Sequence, residues 1–261
     1  GLALSRCFAQ DGIDLIMVAR DAARLNEAAD NIKKQYAIEV TTIAMDLTDH
    51  SAPEKLYSDI TSRGITVNYL VNNAGVGSHG CFAKSDPDAN SAMIDLNVSA
   101  LTALTRLFIA PMLSSNGGRI LNVASLVGYQ PGGPQAALYY ATKSFVLSFT
   151  RGLAKELKAS NVTVTALCPG PTHTNFQSQN GFSETRLYHL FNSPPQQVAR
   201  AGYRAMQRGK VSVIPGFINK LLAFGGELPP RQIALAINSW LLTKVAAKKA
   251  INATKPQGAE K

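Results

Sequence analysis

The chain is poor in the residues that staple or metallate small folds. Its three cysteines, Cys7, Cys81 and Cys168, are odd in number and far apart, and no Cys-x-x-Cys pair occurs. That usage argues against a disulfide framework or a structural zinc and points to a reducing, cytoplasmic compartment. Cys168 closes an apolar run and reads as a small buried hydrophobe. Four histidines are scattered without metal-ligand spacing, so no metal is expected. Charged residues make up 16% of the chain and hydrophobic ones 46%, the balance of a globular chain rather than a disordered one. No uninterrupted apolar run reaches the roughly 18–20 residues of a membrane span. The nearest stretch, 228–247, is broken by Arg231 and Lys244.

Acidic residues are scarce at one end. Residues 200–261 carry eleven Lys/Arg against two Asp/Glu, which accounts for the whole net charge of +9. Two amphipathic stretches lie there, Phe217–Phe224 and Ile233–Val245, accompanied by Lys220, Arg231, Lys244, Lys248 and Lys249. Apolar faces flanked by cations suit weak contact with an anionic membrane surface or an acidic carrier protein. The competing reading packs both stretches over a substrate pocket, with the lysines snorkelling to solvent. No nucleic-acid partner is expected.

What is present in the rest of the chain is an alternation of short β-branched runs and helical patterns. Strands are expected at 15–18, 40–44, 69–71, 119–123, 162–167 and 211–214, with helices over 22–36, 91–112 and 139–157. That order predicts βαβ units and a parallel sheet covered on both faces. One catalytic domain over 1–216 and a basic amphipathic extension over 217–261 follow from the charge break. Residues 171–195 are polar and lack a period, which in a segment of that length marks function or mobility.

Tyr139 and Lys143 are spaced i, i+4, on one helix face, with Ser125 fourteen residues upstream. A nearby ammonium favours phenolate, so Lys143 is expected to lower the Tyr139 pKa and poise it for proton transfer. Ser125 adds a hydroxyl that can hold a carbonyl oxygen. Tyr140, three residues from Lys143, reads as packing. Ligands of open parallel sheets bind at the carboxyl ends of strands, and there stand Arg20, Asp46, Asn72-Asn73-Ala74-Gly75, Ser125 and Pro169-Gly170.

Taken in order, these residues resemble the short-chain dehydrogenase/reductase family across essentially the whole chain. The resemblance implies a Rossmann-like, doubly wound parallel sheet in a single domain. Gly1 resembles the last glycine of the family's opening glycine-rich turn, so the first strand is expected to be missing from the chain as written. Arg20 falls where the adenosine ribose is read, and a basic residue there implies NADP. Asp46 and Leu47 match the adenine site, and Asn73, Ala74 and Gly75 match the cofactor floor. Pro169, Gly170, Thr172 and Thr174 match the segment framing the nicotinamide, with Tyr139 and Lys143 also touching the cofactor. Thr172 stands where valine or isoleucine is common, and the 125-to-139 spacing is one residue longer than usual. Asn97 matches the asparagine that holds a water in the proton relay. The implied activity is hydride transfer to or from a ketone or secondary alcohol, by Asn97, Ser125, Tyr139 and Lys143, in a homodimer or other homo-oligomer. The rival reading is a catalytically silent NADP-binding sensor or scaffold. A pocket drawn from 76–83, 126–138 and 171–207 would bring in His79, Cys81, Phe82, Leu126, Val127, Tyr129, Leu187, Tyr188 and Phe191. That lining suits a bulky apolar substrate such as a steroid or fatty-acyl compound.

Overall fold

The structure, a computed structural model, describes residues 1–244 apart from 116, 175, 177–179, 191 and 229. The expected Phe191, Val245, Lys248 and Lys249 contributions lie outside the described residues. Strands β1 (Leu15–Ala19) and β2 (Val40–Ala44) form one parallel pair; β3 (Tyr69–Asn72), β4 (Gly118–Val123), β5 (Val162–Leu167) and β6 (Ser212–Val213) form a parallel sheet in that order. The β4–β5 ladder runs in register from Gly118 opposite Val162 to Val123 opposite Leu167.

Helices cover both faces because consecutive strand residues point to opposite sides. Ile120 and Val164 face a layer built by α3 (Ala52–Ser62) and α5 (Leu101–Ser114), where Leu56, Ile60, Leu104, Phe108 and Met112 are buried. Leu121 and Leu167 face α1 (Leu2–Gln10) and α8 (Pro195–Gln207), packing with Leu4, Phe8, Val198 and Met206. Side-chain caps set two helix starts. Asp21 accepts from the Arg24 amide at 3.1 Å to open α2 (Ala22–Gln35), and Asp86 accepts from the Asp88 amide at 3.0 Å to open α4 (Pro87–Ile94).

Four helices, α1, α3, α8 and a five-residue helix at Arg186–Leu190, have no counterpart among the sequence expectations. In α8, Pro195 sits at the first turn, where a missing amide costs nothing, so the Pro194-Pro195 pair opens a helix rather than prolonging the polar segment. The helix expected at 91–112 begins at Pro87 and continues through a π-helical stretch, Asp95–Ala100, into α5. Within the 28 residues of Pro87–Ser114 an 18-residue window has a mean hydropathy of 1.4, enough by length and composition to cross a membrane. Asp88, Asp95 and Arg106 interrupt this helix, so it is not an uninterrupted apolar run. Its buried side chains Met93, Leu101, Leu104, Phe108 and Met112 contribute to the protein core.

The active-site helix is α6 (Ala137–Glu156), followed by a short α7 (Arg186–Leu190). Beyond β6, α9 (Phe217–Glu227) and α10 (Arg231–Leu241) lie over the loop after β4. Gln130 donates to the Leu222 carbonyl at 2.8 Å and Asn238 to the Gly132 carbonyl at 2.8 Å.

Candidate active site

Beneath the site lies a buried polar network that ties strands to helices. Asn72 donates to Asn122 at 2.9 Å and to Thr105 at 3.0 Å, and Asn122 donates to Thr150 at 3.0 Å. Thr105 and Thr150 each return a bond to a carbonyl of their own helix, Leu101 and Val146, at 2.7 Å. These bonds hold β3 and β4 against α5 and α6, with every named amide nitrogen partnered.

Above that floor, the turn after β3 is held by Asn97. Its side chain donates to the Val76 carbonyl at 2.8 Å and to Thr142 at 3.0 Å, and accepts from the Val76 amide at 3.0 Å. Asn97 lies in the π-helical stretch, a register change that often marks functional positions. Gly75 crosses directly over this residue. A Cβ there would stand 3.1 Å from Asn97 Oδ1 and 3.2 Å from Lys143 Nζ, so glycine permits the close approach.

Ser125, Tyr139 and Lys143 converge on one cavity of about 290 Å³, with Gly1, Asn73, Gly75, Pro169, Gly170, Thr172 and Thr174 on its walls. Phe176 and Phe182 lie against the Tyr139 ring, with centroids 5.7 Å and 5.3 Å away. This packing buries the phenol and pushes its pKa up to about 12, while the hydrogen-bonded Ser125 hydroxyl offsets part of the rise. The expected lowering by Lys143 is thereby corrected, since desolvation dominates. Lys143 is itself buried, its Nζ donates to the Val123 carbonyl at 3.0 Å, and burial lowers its pKa to about 8.

Other expected residues fall elsewhere. Arg20 and Asp46 stand beyond the ends of β1 and β2, paired at 3.8 Å, and neither they nor Leu47, Ala74 and Asn97 line the cavity. Asp46 accepts from the Thr48 amide and hydroxyl, which lowers its pKa. His79 bonds the Leu242 carbonyl at 2.9 Å, Cys81 and Phe82 are exposed, and Tyr129 bonds Ser212 at 3.2 Å. None of the four lines this cavity: Cys81 and Phe82 face solvent, His79 packs behind the Phe182 ring with centroids 5.6 Å apart, and Tyr129 reaches toward β6. His173 meets the Tyr188 hydroxyl at 3.0 Å. Leu126, Val127, Leu187 and Tyr188 do form its walls. Leu242 and α8 residues Val198 and Ala199 join them; helical spacing over 195–207 was the signal for α8.

A nicotinamide cofactor fits these residues. The first turn of α1 opens on the cavity through Gly1, Ala3 and Leu4, and no side chain caps its amides, the arrangement that receives a pyrophosphate. Residues 1–184 match the short chain dehydrogenase family. An uncharacterized oxidoreductase of Staphylococcus saprophyticus is 28% identical over 80% of this chain and 86% of its own. The very-long-chain 3-oxoacyl-CoA reductase-B of Danio rerio is 33% identical over 65% of this chain, and the match spans about half of that protein, 55%. A short-chain dehydrogenase of Sphingobium yanoikuyae, solved with NADPH, superposes with a TM-score of 0.77 at 28% identity, covering 87% of this chain and 88% of its own. The chain belongs to the short-chain dehydrogenase family of oxidoreductases.

Proposed function

We propose that this protein transfers a hydride between NADP(H) and a ketone or secondary alcohol on a bulky, largely apolar substrate. The observation that carries this reading is the convergence of Ser125, Tyr139 and Lys143 on one cavity whose walls include Leu126, Val127, Phe176, Phe182 and Leu187. Bound NADPH supplies the hydride. Gly1, Asn73, Ala74, Gly75, Pro169, Gly170, Thr172, Thr174, Tyr139 and Lys143 would hold its central and nicotinamide portions, and Arg20, Asp46 and Leu47 its adenosine end. The mainly exposed Arg20 guanidinium suits a 2′-phosphate. The NADPH bound by the Sphingobium yanoikuyae protein supports the same choice.

In reduction, the Ser125 and Tyr139 hydroxyls hold the carbonyl oxygen. With its pKa near 12, Tyr139 is protonated at neutral pH and gives its proton to the oxygen as negative charge develops there. Lys143, charged below a pH of about 8, steadies the phenolate left behind. Asn97 keeps the Val76 turn and Thr142 in place, and is the position from which a water would return the proton. NADPH oxidation with a panel of apolar ketones tests the reading. Tyr139→Phe should lower turnover by roughly 10²–10⁴ and keep NADPH affinity, while Tyr140→Phe should stay active. NADPH binding without turnover of any ketone would leave the silent sensor in its place.

Two surfaces support further parts of the reading. On α6, Phe145 is exposed and stacks on Phe149 with centroids 5.8 Å apart; together with Leu113, exposed on α5, it supports a homodimer formed through these helices. The α9–α10 region exposes Phe217, Phe224, Ile233 and Trp240 together with Lys220 and Arg231, which supports weak contact with an anionic membrane surface. Lys244, by contrast, pairs with Glu184 at 2.7 Å.

A further inference from the structure

A second cavity, about 280 Å³, lies between the loop after β4 and helices α9 and α10. It shares Leu126, Val127, Tyr140 and Leu187 with the active cavity, so the two spaces adjoin across four side chains. Gly133 keeps one of these in place: a Cβ there would fall 2.4 Å from the Tyr140 ring, so the ring lies flush on the backbone.

The remaining walls are apolar, with two exceptions that are already partnered. Gln130 donates to the Leu222 carbonyl at 2.8 Å and accepts from Asn238 at 3.3 Å, and Asn238 also donates to the Gly132 carbonyl at 2.8 Å. A ligand that asked these amides for hydrogen bonds would have to break existing ones. An apolar ligand asks nothing of them. The outer rim consists of Leu221, Leu228, Ile233 and Ile237, which line the cavity and are also exposed to solvent. The cavity therefore runs from the neighbourhood of Tyr139 toward an apolar patch on the surface.

We infer that this second cavity binds the apolar tail of the carbonyl substrate, threading it past Leu126, Val127, Tyr140 and Leu187 toward the gap between α9 and α10. The inference rests on the proposed function and adds the substrate's shape: a reacting carbonyl at one end of an unbranched hydrocarbon chain. It also names specificity-determining residues outside the catalytic cavity, Ala234 and Ile237 on α10.

Two measurements test it. The first compares kcat/KM for methyl ketones with chains of about four to about twelve carbons. Each methylene buried is worth about 0.8 kcal/mol, or about fourfold, so kcat/KM should climb with length until the cavity is full. Ala234→Phe, or the less buried Ile237→Phe, should flatten that climb at least tenfold for the longest ketone and leave the shortest unchanged. The second follows the fluorescence of dansyl-undecanoate on cofactor-free protein, with binding expected in wild type and lost in both variants. A length-independent series in an active enzyme, or probe binding unchanged in both variants, overturns the inference. Probe binding lost in both variants, with no ketone of any length turned over, supports the tail site and overturns hydride transfer instead.

Discussion

Replacing Lys143 with methionine should abolish activity and yet remove a built-in instability. Burial takes the lysine pKa from 10.5 to about 8, so keeping the ammonium charged in the folded protein costs about 3 kcal/mol at neutral pH. Its folded pKa lies below its unfolded value. The unfolded chain therefore binds the extra proton between a pH of about 8 and about 10.5, and wild-type stability rises with pH across that window. Lys143→Met lacks this term. It also loses the bond to the Val123 carbonyl, about 1–3 kcal/mol, so at neutral pH it should equal or exceed wild type. Buried groups that do not interact with Lys143 titrate in both proteins and cancel in the difference, and burial pushes both Cys168 and Tyr139 up to about 12, so they stay neutral in the folded protein across the window. Urea denaturation of the cofactor-free proteins, followed by circular dichroism across a pH series, measures that difference. It should swing by about 3 kcal/mol in favour of wild type as pH rises through the window, or roughly 6–12 °C in Tm. A difference independent of pH would refute the reasoning, because it would mean that Lys143 is hydrated in the folded protein.

Three further outcomes are expected. Arg20→Asp should cost NADPH binding about 1.5 kcal/mol, near the lower end for a charged hydrogen bond because the side chain is exposed, and should reverse or erase the preference over NADH; wild-type Kd values that are equal for the two cofactors would count against this. Asn122→Ala removes two bonds of the buried network, but Asn72 keeps Thr105 and Thr150 keeps the Val146 carbonyl, so the loss should be about 2–3 kcal/mol by chemical denaturation; a loss below about 1 kcal/mol would show that the network is not tight. The protein should co-sediment with vesicles containing anionic lipid, and binding should fall in high salt, where screening shortens to about 3 Å, and in the double variant Lys220→Glu, Arg231→Glu. Equal sedimentation with neutral vesicles would remove the electrostatic part of that reading.

Much of this molecule is legible in local sequence. The i, i+4 spacing of Tyr139 and Lys143 survives as geometry because a helix makes that spacing local. All six expected strands recur within a residue of their observed bounds, since β-branched runs between helical periods depend on near neighbours. Other properties were decided only when distant segments met. The Tyr139 pKa moves opposite to the local expectation because Phe176 and Phe182, from a segment with no readable period, desolvate the ring. Asn97 has partners in two separate elements, which no single stretch of sequence reveals. Cys81 falls outside the pocket because it faces solvent and His79 because the Phe182 ring and the Leu242 carbonyl hold it, and the cavity beside Tyr140 exists only where α9 and α10 close over the loop after β4. Spacing along one element is set by backbone geometry alone, whereas burial and cavity shape are sums over every element packed nearby.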